Sequence, residues 1–368
     1  MEATLNRASR EWATRPDDQR YLTLESLFAA VAQRKRESWT VTPHVRDLGN
    51  SDAIVPFDEE RLGVEVYDPT RGERVMLSPS HWAFGQLALY AKAPAAYLRN
   101  LPAPLAAINL QWGLGHNPVR DDALLLAHSN GDNTLRAITS TSYGRIWDAQ
   151  VIQAVMRANA NGRWQVPAAS YSGANPKRAT TLYASDRDVF IFLVDPKNPI
   201  EIPGEQPMFR GFFAWNSEVG AATFGLTTFL YRYVCDNRIV WGASDVKELR
   251  IRHTGGAPER FAYEGERLLQ RYADESTAKL VAGITAAKNA ELPDNGKPES
   301  VMEWLQKRNF AKGVAKASLD AAVAEEGQAR SVWDIVNGIT AYARSIPHTD
   351  ARIELETAAG KLLSAVAG

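Results

Sequence analysis

Cysteine is nearly absent from this chain: Cys235 is the only one. An intrachain disulfide is therefore impossible, and no cysteine-based zinc site can be assembled. A single thiol fits a reducing compartment, so a cytoplasmic protein is expected. The six histidines, at positions 44, 81, 116, 128, 253 and 348, form no HxH or HxxxH pair. That removes the usual histidine-led metal spacing, and no metal or cofactor is implied.

Long apolar runs are lacking too. None approaches the roughly 20 residues of a membrane span, and the N-terminus mixes acids and bases without the apolar core of a secretory signal, so no membrane partner is expected. An excess of charge of one sign is also missing. With 42 basic and 43 acidic residues the formal net charge is −1, so no global field draws in nucleic acid or an anionic membrane, and any such attraction must come from a local patch. No Walker or dinucleotide-binding glycine pattern occurs, and there are no repeats or low-complexity tracts.

What is present is an ordinary globular balance, 45% hydrophobic and 23% charged, with two biases. Arginine outnumbers lysine 30 to 12, and ten of the 34 aromatic residues are tryptophan. Arginine forks and flat rings suit phosphate contact and base stacking. A GC-rich genome and a tryptophan-rich core explain the same numbers more simply.

Patterning gives the elements. Residues 23–36 predict an amphipathic helix capped by Thr23, with Leu24, Leu27, Phe28 and Val31 on one face and Arg34, Lys35 and Arg36 at its end. Hairpins are expected from 64–67 with 74–77, from 124–128 with 134–138 around Asn130-Gly131, and from 180–185 with 189–194 across Asp186-Arg187. Helices are expected within 78–97, where Ser80 can cap and Pro94 breaks the run, over 104–112 and over 146–159. Residues 210–242 read as two long strands joined at a tight polar corner, Asn216-Ser217-Glu218, and 248–253 as a last strand. After Pro258 the period becomes helical, with Leu268, Tyr272, Ser276, Leu280 and Ile284 on one continuous face. A capping box at Ser331 and Asp334 opens a further helix, and another runs from Asp350 to Leu363. The fold class is α+β: an antiparallel sheet built from hairpins with flanking helices over residues 1–256, then a helical region over 257–368.

Several constellations carry possible chemistry. The hydroxyl-rich loop 140–144 leads into a helix with Arg145 in its first turn, which suits a phosphate at a helix N-terminus; plain capping by Ser140, Thr141 or Ser142 is the simpler account. Glu218 at the polar corner suits a general base or metal ligand, but has no partner at characteristic spacing. Arg232, Asp236, Asn237 and Arg238 surround Cys235, and a strand end turning through Asp-Asn accounts for them. His253 lies between arginine and glycines and suits a phosphate contact or a base. Lys307, Arg308, Lys312 and Lys316 make a basic helical face which, with Arg34 to Arg36, is the only local basic surface.

Four blocks carry a family resemblance: LSPSHWAFGQLALYAKAPAAYLRNLP at 77–102, LRAITSTSYGRIWDAQVI at 135–152, GFFAWNSEVGAATFGLTTFLYRYVCDNRIV with its trailing IRHTG, and SVWDIVNGITAYAR. In them the chain resembles the phage/plasmid-like proteins of unknown function (domain of unknown function 932). Asn216, Ser217, Glu218, Gly220, Arg232, Cys235 and Asn237 match the family pattern in the third block, and Arg136 and Tyr143 in the second. Ser-Thr-Ser before Tyr143 and Arg238 depart from it. The resemblance implies a mobile-element setting and supplies no activity.

The leading expectation is non-catalytic binding of single-stranded DNA or RNA by a homo-oligomer, through Arg136, Tyr143, Arg145, Trp215, Arg232 and His253. Asn216, Ser217, Glu218, Asp236 and Asn237 form a second polar candidate. Two alternatives stand beside it. One is a hydrolase or nucleotidyl-processing enzyme using Glu218, Asp236 and His253, which predicts their convergence in one pocket. The other is a factor that binds a host defence protein, which predicts an exposed apolar patch.

Overall fold

The computed structural model describes residues 16–345 except 70, 118–120, 130, 167–179, 205, 235–236, 242–247, 275 and 277, together with positions 355, 358, 359 and 362. The side chains of residues 229–248, 279, 280, 326, 344 and 345 are also outside the description. The fold is α+β, and the hairpins belong to two sheets rather than one.

The first sheet has six strands in the order β2 (Ser38–Val41), β6 (Ala123–Ser129), β7 (Asn133–Ser140), β5 (Glu73–Pro79), β4 (Leu62–Asp68) and β3 (Ile54–Pro56). The hairpin β4–β5 pairs Val64 with Leu77 and Tyr67 with Arg74, as its alternation predicts. Where β5 meets β7 the pairing is parallel, Ser78 opposite Thr134, a departure from the purely antiparallel expectation. Three helices cover this sheet: α2 (His81–Tyr90), α3 (Ala95–Leu98) and α4 (Ala103–Gly115). Ser80 caps α2, its hydroxyl accepting from the Ala83 N–H.

The second sheet runs β1 (Arg20–Tyr21), β8 (Leu182–Ala184), β9 (Val189–Val194), β10 (Met208–Asn216), β11 (Phe224–Val234), β12 (Asn237–Trp241), with β13 (Glu248–Ile251) also paired to β11. Strand β9 is buried at every position, and the two-residue period sorts its side chains. Val189, Ile191 and Leu193 join the helix-covered core, while Phe190, Phe192 and Val194 join an aromatic cluster on the other face. The same alternation along β10 sends Phe213 and Trp215 to the aromatic side, and Phe212 and Ala214 to the helix side. Asn216 is next in the helix-side series. Opposite Trp215 stands Gly225; a Cβ there would sit 1.9 Å from the indole, so only glycine admits the ring.

Helices α1 (Leu24–Arg36), α5 (Asp148–Ala158) and α6 (Ala257–Asp274) cover that sheet. Thr23 caps α1 in a reciprocal box with Ser26. The long helical stripe after Pro258 is in fact two helices, α6 and α7 (Ala278–Asn289). Helices α8 (Pro298–Gln306), α9 (Lys312–Glu326) and α10 (Val332–Ser345) follow. Ser331 and Asp334 form the predicted box at the start of α10. The helices α7 to α10 share a separate core, which also takes in Ile200, Ile202 and Met208 from the second sheet's margin. Most of the helix expected over 350–363 lies outside the described residues.

Candidate functional site

The two sheets meet around the segment 217–223, which joins β10 to β11. The expected tight corner is a longer loop. Ser217 Oγ organises it by accepting from the N–H groups of Val219 and Ala221, at 3.3 and 2.9 Å, while donating to the Arg187 carbonyl at 2.6 Å. Gly220 has φ of +83°, a left-handed conformation that glycine adopts freely. The loop thereby turns Glu218 inward, where it is fully buried.

An anion so placed needs compensation. Arg136 of β7 in the other sheet brings Nη2 to 2.8 Å from Glu218 Oε2, an ion contact rather than an aligned hydrogen bond. Arg34 of α1 lies 3.8 Å away. The Asp148 N–H, first in α5, donates to Oε1 at 2.9 Å. The helix N-terminus that the sequence offers to a phosphate is thus already filled by an internal carboxylate, which satisfies an orphan donor and faces the positive end of the dipole. Ser140 and Ser142 do not cap it; their hydroxyls bond each other at 2.9 Å.

Asp148 is itself enclosed. Arg34 Nη2 stands 2.7 Å from its Oδ2, and Asn216 Nδ2 donates at 2.7 Å both to its Oδ1 and to the Ile146 carbonyl. Burial, and after it the Glu218 charge, pushes Asp148 up to about 8 even with Arg34 in contact. Burial would also raise Glu218, but the Arg136 and Arg34 charges outweigh it and hold that carboxylate below its ordinary range. The two acids are driven apart by unequal shares of positive charge.

Arg145 differs from both other arginines. It is 8% exposed, and among the described residues no carboxylate lies within ion-pair distance of it. One nitrogen donates to the Glu218 carbonyl at 2.7 Å, and the other, Nη2, is buried without a hydrogen-bond partner. The guanidinium is 5.3 Å from the Tyr143 ring centre and 5.6 Å from that of Trp147. Tyr143 donates its hydroxyl to the Ser217 carbonyl at 2.9 Å and stacks on His253 at 5.0 Å. Burial lowers His253 to about 4, so it is neutral at physiological pH, with Nδ1 3.2 Å from the Gly144 carbonyl. In this state the imidazole is neutral and enclosed.

Of the expected residues, the structure gathers Arg136, Tyr143, Arg145, Asn216, Ser217, Glu218 and His253 into one cluster. Trp215 is separate: it packs in the aromatic core, with the Arg250 guanidinium 5.9 Å from its ring. Arg232 and Asn237 lie on β11 and β12 with their side chains outside the description. Cys235 and Asp236 fall outside the described residues, and with Asp236 so does the expected trio Glu218, Asp236 and His253. Lys307 and Arg308 follow α8, whereas Lys312 and Lys316 belong to α9, so they share no helix face.

Sequence reasoning passed over Arg34 as a site residue, and also Asp148, Trp82, Trp147 and Arg187. The two tryptophans are half-buried around Val219 and Ala221 at the seam. Trp82 donates to the Val219 carbonyl at 2.9 Å. Arg187 lies over Trp82 at 5.4 Å and Lys35 over Trp147 at 5.5 Å. Among the described residues no group of three or more His, Cys, Asp or Glu is placed to hold a metal ion, and no helix is long and apolar enough to cross a membrane.

A family model, the domain of unknown function (DUF932), matches residues 169–352, half of the chain. The chain belongs to this family. No curated protein and no solved structure matches it. The matched span contains Asn216, Ser217 and Glu218, while Arg34, Arg136, Arg145 and Asp148, which enclose them, precede it.

Proposed function

We propose that this protein binds single-stranded nucleic acid, without catalysis, along the seam between its sheets. The observation that carries this reading is an imbalance of buried charge. Three guanidinium groups (Arg34, Arg136, Arg145) face two buried carboxylates (Glu218, Asp148), so the buried groups alone hold one excess positive charge, and two once Asp148 is protonated, with the exposed Asp186 carboxylate acting on Arg34 from outside them. In a poorly polarisable interior such a charge is weakly screened and reaches the surface above it. That surface is the strip of Trp82 and Trp147 with Arg187 and Lys35, a pairing of rings and cations that suits stacked bases and a phosphate backbone. Arg145 thus acts through its field, and the exposed Arg187 with the half-buried Lys35 makes the contacts. The mobile-element setting implied by the family resemblance agrees with this role. Glu218, engaged at both oxygens and wholly enclosed, is a poor general base, so no observation favours the hydrolase.

The test is fluorescence anisotropy of labelled single- and double-stranded DNA and RNA over a salt series. Affinity for single strands that falls steeply with salt, and weakens about tenfold or more in Trp147→Ala, is expected. Absence of binding at low salt contradicts the reading.

A further inference from the structure

The chain enters the six-stranded sheet once and leaves it once. Every strand of that sheet, with the helices α2, α3 and α4 that cover it, falls within residues 38–140, between α1 and α5. The packing divides at the same places. The core of the six-stranded sheet draws on residues between 39 and 138, and the helix-covered core of the other sheet draws only on residues outside that span. A continuous segment with its own sheet and core, joined to the rest at two points, has the anatomy of a domain.

Both crossings are short. Glu37 alone separates α1 from β2. Its N–H donates to the Gln33 carbonyl in α1 at 3.0 Å, and its carbonyl accepts from the Ser129 N–H in β6 at 3.0 Å, so it is held from both sides as a pivot is. At the exit, Tyr143 is bridged to Thr254, and the Gly144 N–H donates to the His253 carbonyl at 3.1 Å. The chain is therefore already fixed to the second sheet there, which leaves the exposed Thr141 and Ser142 as the link.

Between these crossings the grip on the segment centres on one loop. Trp82 Nε1 and Gln86 Nε2 both donate to the Val219 carbonyl, each at 2.9 Å. Val219 is buried with Leu126 and Ala137, a cross-strand pair outside the segment's own core. Arg136 reaches Glu218 from a bulge: Ala127 pairs with Leu135 and Leu126 with Ala137, so Arg136 is the extra residue of β7. The base of the loop is held from its own side, where Tyr143 and Arg145 donate to the Ser217 and Glu218 carbonyls. Three successive carbonyls are thus taken by side chains, and only the third belongs to the six-stranded side.

We propose that residues 38–140 swing as one lobe about Glu37 and the Thr141–Ser142 link, with Glu218 and Val219 as the latch that closes the seam. Release of the latch exposes Arg136 and Glu218 to water while both cores stay packed. The hinge rests on packing and chain path, and not on the nucleic-acid reading.

Hydrogen exchange of the full chain, followed by mass spectrometry in urea below the unfolding transition, tests it. In the wild type, peptides covering 217–223 should exchange through an opening whose urea dependence is well above zero and well below that of β4 and β9. In Trp82→Phe with Gln86→Leu the loop amides should exchange at least about tenfold faster, with β4 and β9 within about twofold of the wild type. Leu77→Ala, in the core of the lobe, should speed exchange in β4 and β5 and leave β9 and β10 unchanged. A loop opening with no urea dependence is fraying of the loop alone and overturns the proposal. So does a loop that exchanges only together with β4 and β9, or a Leu77→Ala variant that speeds β9 as much as β4. The wild-type series decides the matter even where a variant does not fold.

Discussion

Glu218 and Arg136 meet at 2.8 Å inside the protein, one from a loop of the seven-stranded sheet and the other from a strand of the six-stranded sheet. Their contact ties the two sheets together, and Arg34 and the start of α5 complete the tie. Removing one partner of such a pair leaves an uncompensated buried charge.

Glu218→Gln should therefore cost about 3–5 kcal/mol of stability in urea denaturation. Arg136→Met should cost a similar amount, and the double variant clearly less than the sum. Strict additivity would show that the pair is not coupled.

Much of the local structure was legible. The register of β4 with β5, the hairpin at Asp186-Arg187 and the caps at Thr23, Ser80 and Ser331 all follow from short-range chemistry. The tie between the sheets was not. Arg34 and Asp148 are 114 residues apart; the first reads as part of a basic helix end, the second as a first-turn acid, and nothing local joins them. The loop after Asn216 is hidden in the sequence for a related reason. The strand pattern runs on through it, and the hydroxyl of Ser217 that shapes the turn gives no periodic signal. The family pattern singled out Asn216, Ser217 and Glu218, which lie in the buried charge cluster. Their chemistry emerged only with the arginines around them.

Asn216→Asp should be most damaging at high pH. The amide donates to Asp148 and to the Ile146 carbonyl, and a carboxylate there faces two acceptors. A loss of about 3 kcal/mol or more at pH 9, shrinking toward pH 5 as one acid takes up a proton, is expected in denaturation series. A loss independent of pH would contradict this geometry.

Two groups give opposite pH trends. The folded value of His253, about 4, lies below its ordinary 6.5, so the stability it contributes is present above pH 6.5 and lost as pH falls toward 4, at most about 3 kcal/mol. The folded value of Asp148, about 8, lies above its ordinary 3.8. Its contribution is therefore complete below pH 3.8 and lost as pH rises through 8. His253→Phe should flatten the acid limb and Asp148→Asn the alkaline one. An unchanged profile in either variant contradicts that assignment.

Gly144 is sterically obligatory. A Cβ there would fall 1.8 Å from the Thr254 carbonyl oxygen, where Tyr143 and Thr254 form a bridge. Gly144→Ala should cost at least about 2 kcal/mol, whereas Gly255→Ala, with nothing within 4 Å of its added methyl, should stay within about 0.5 kcal/mol. Equal effects would refute the close approach.

Binding of single strands along the cations of the seam, as proposed, is open to a direct test. The direct measurement is the salt slope of single-strand binding for the wild type and for Lys35→Ala with Arg187→Ala, the first half-buried and the second exposed. Each lost phosphate contact should lower the slope of log affinity against log salt by about 0.7, so the double variant should bind more weakly with a slope reduced by about 1.4. An unchanged slope in a folded double variant would place the nucleic acid elsewhere and contradict the account.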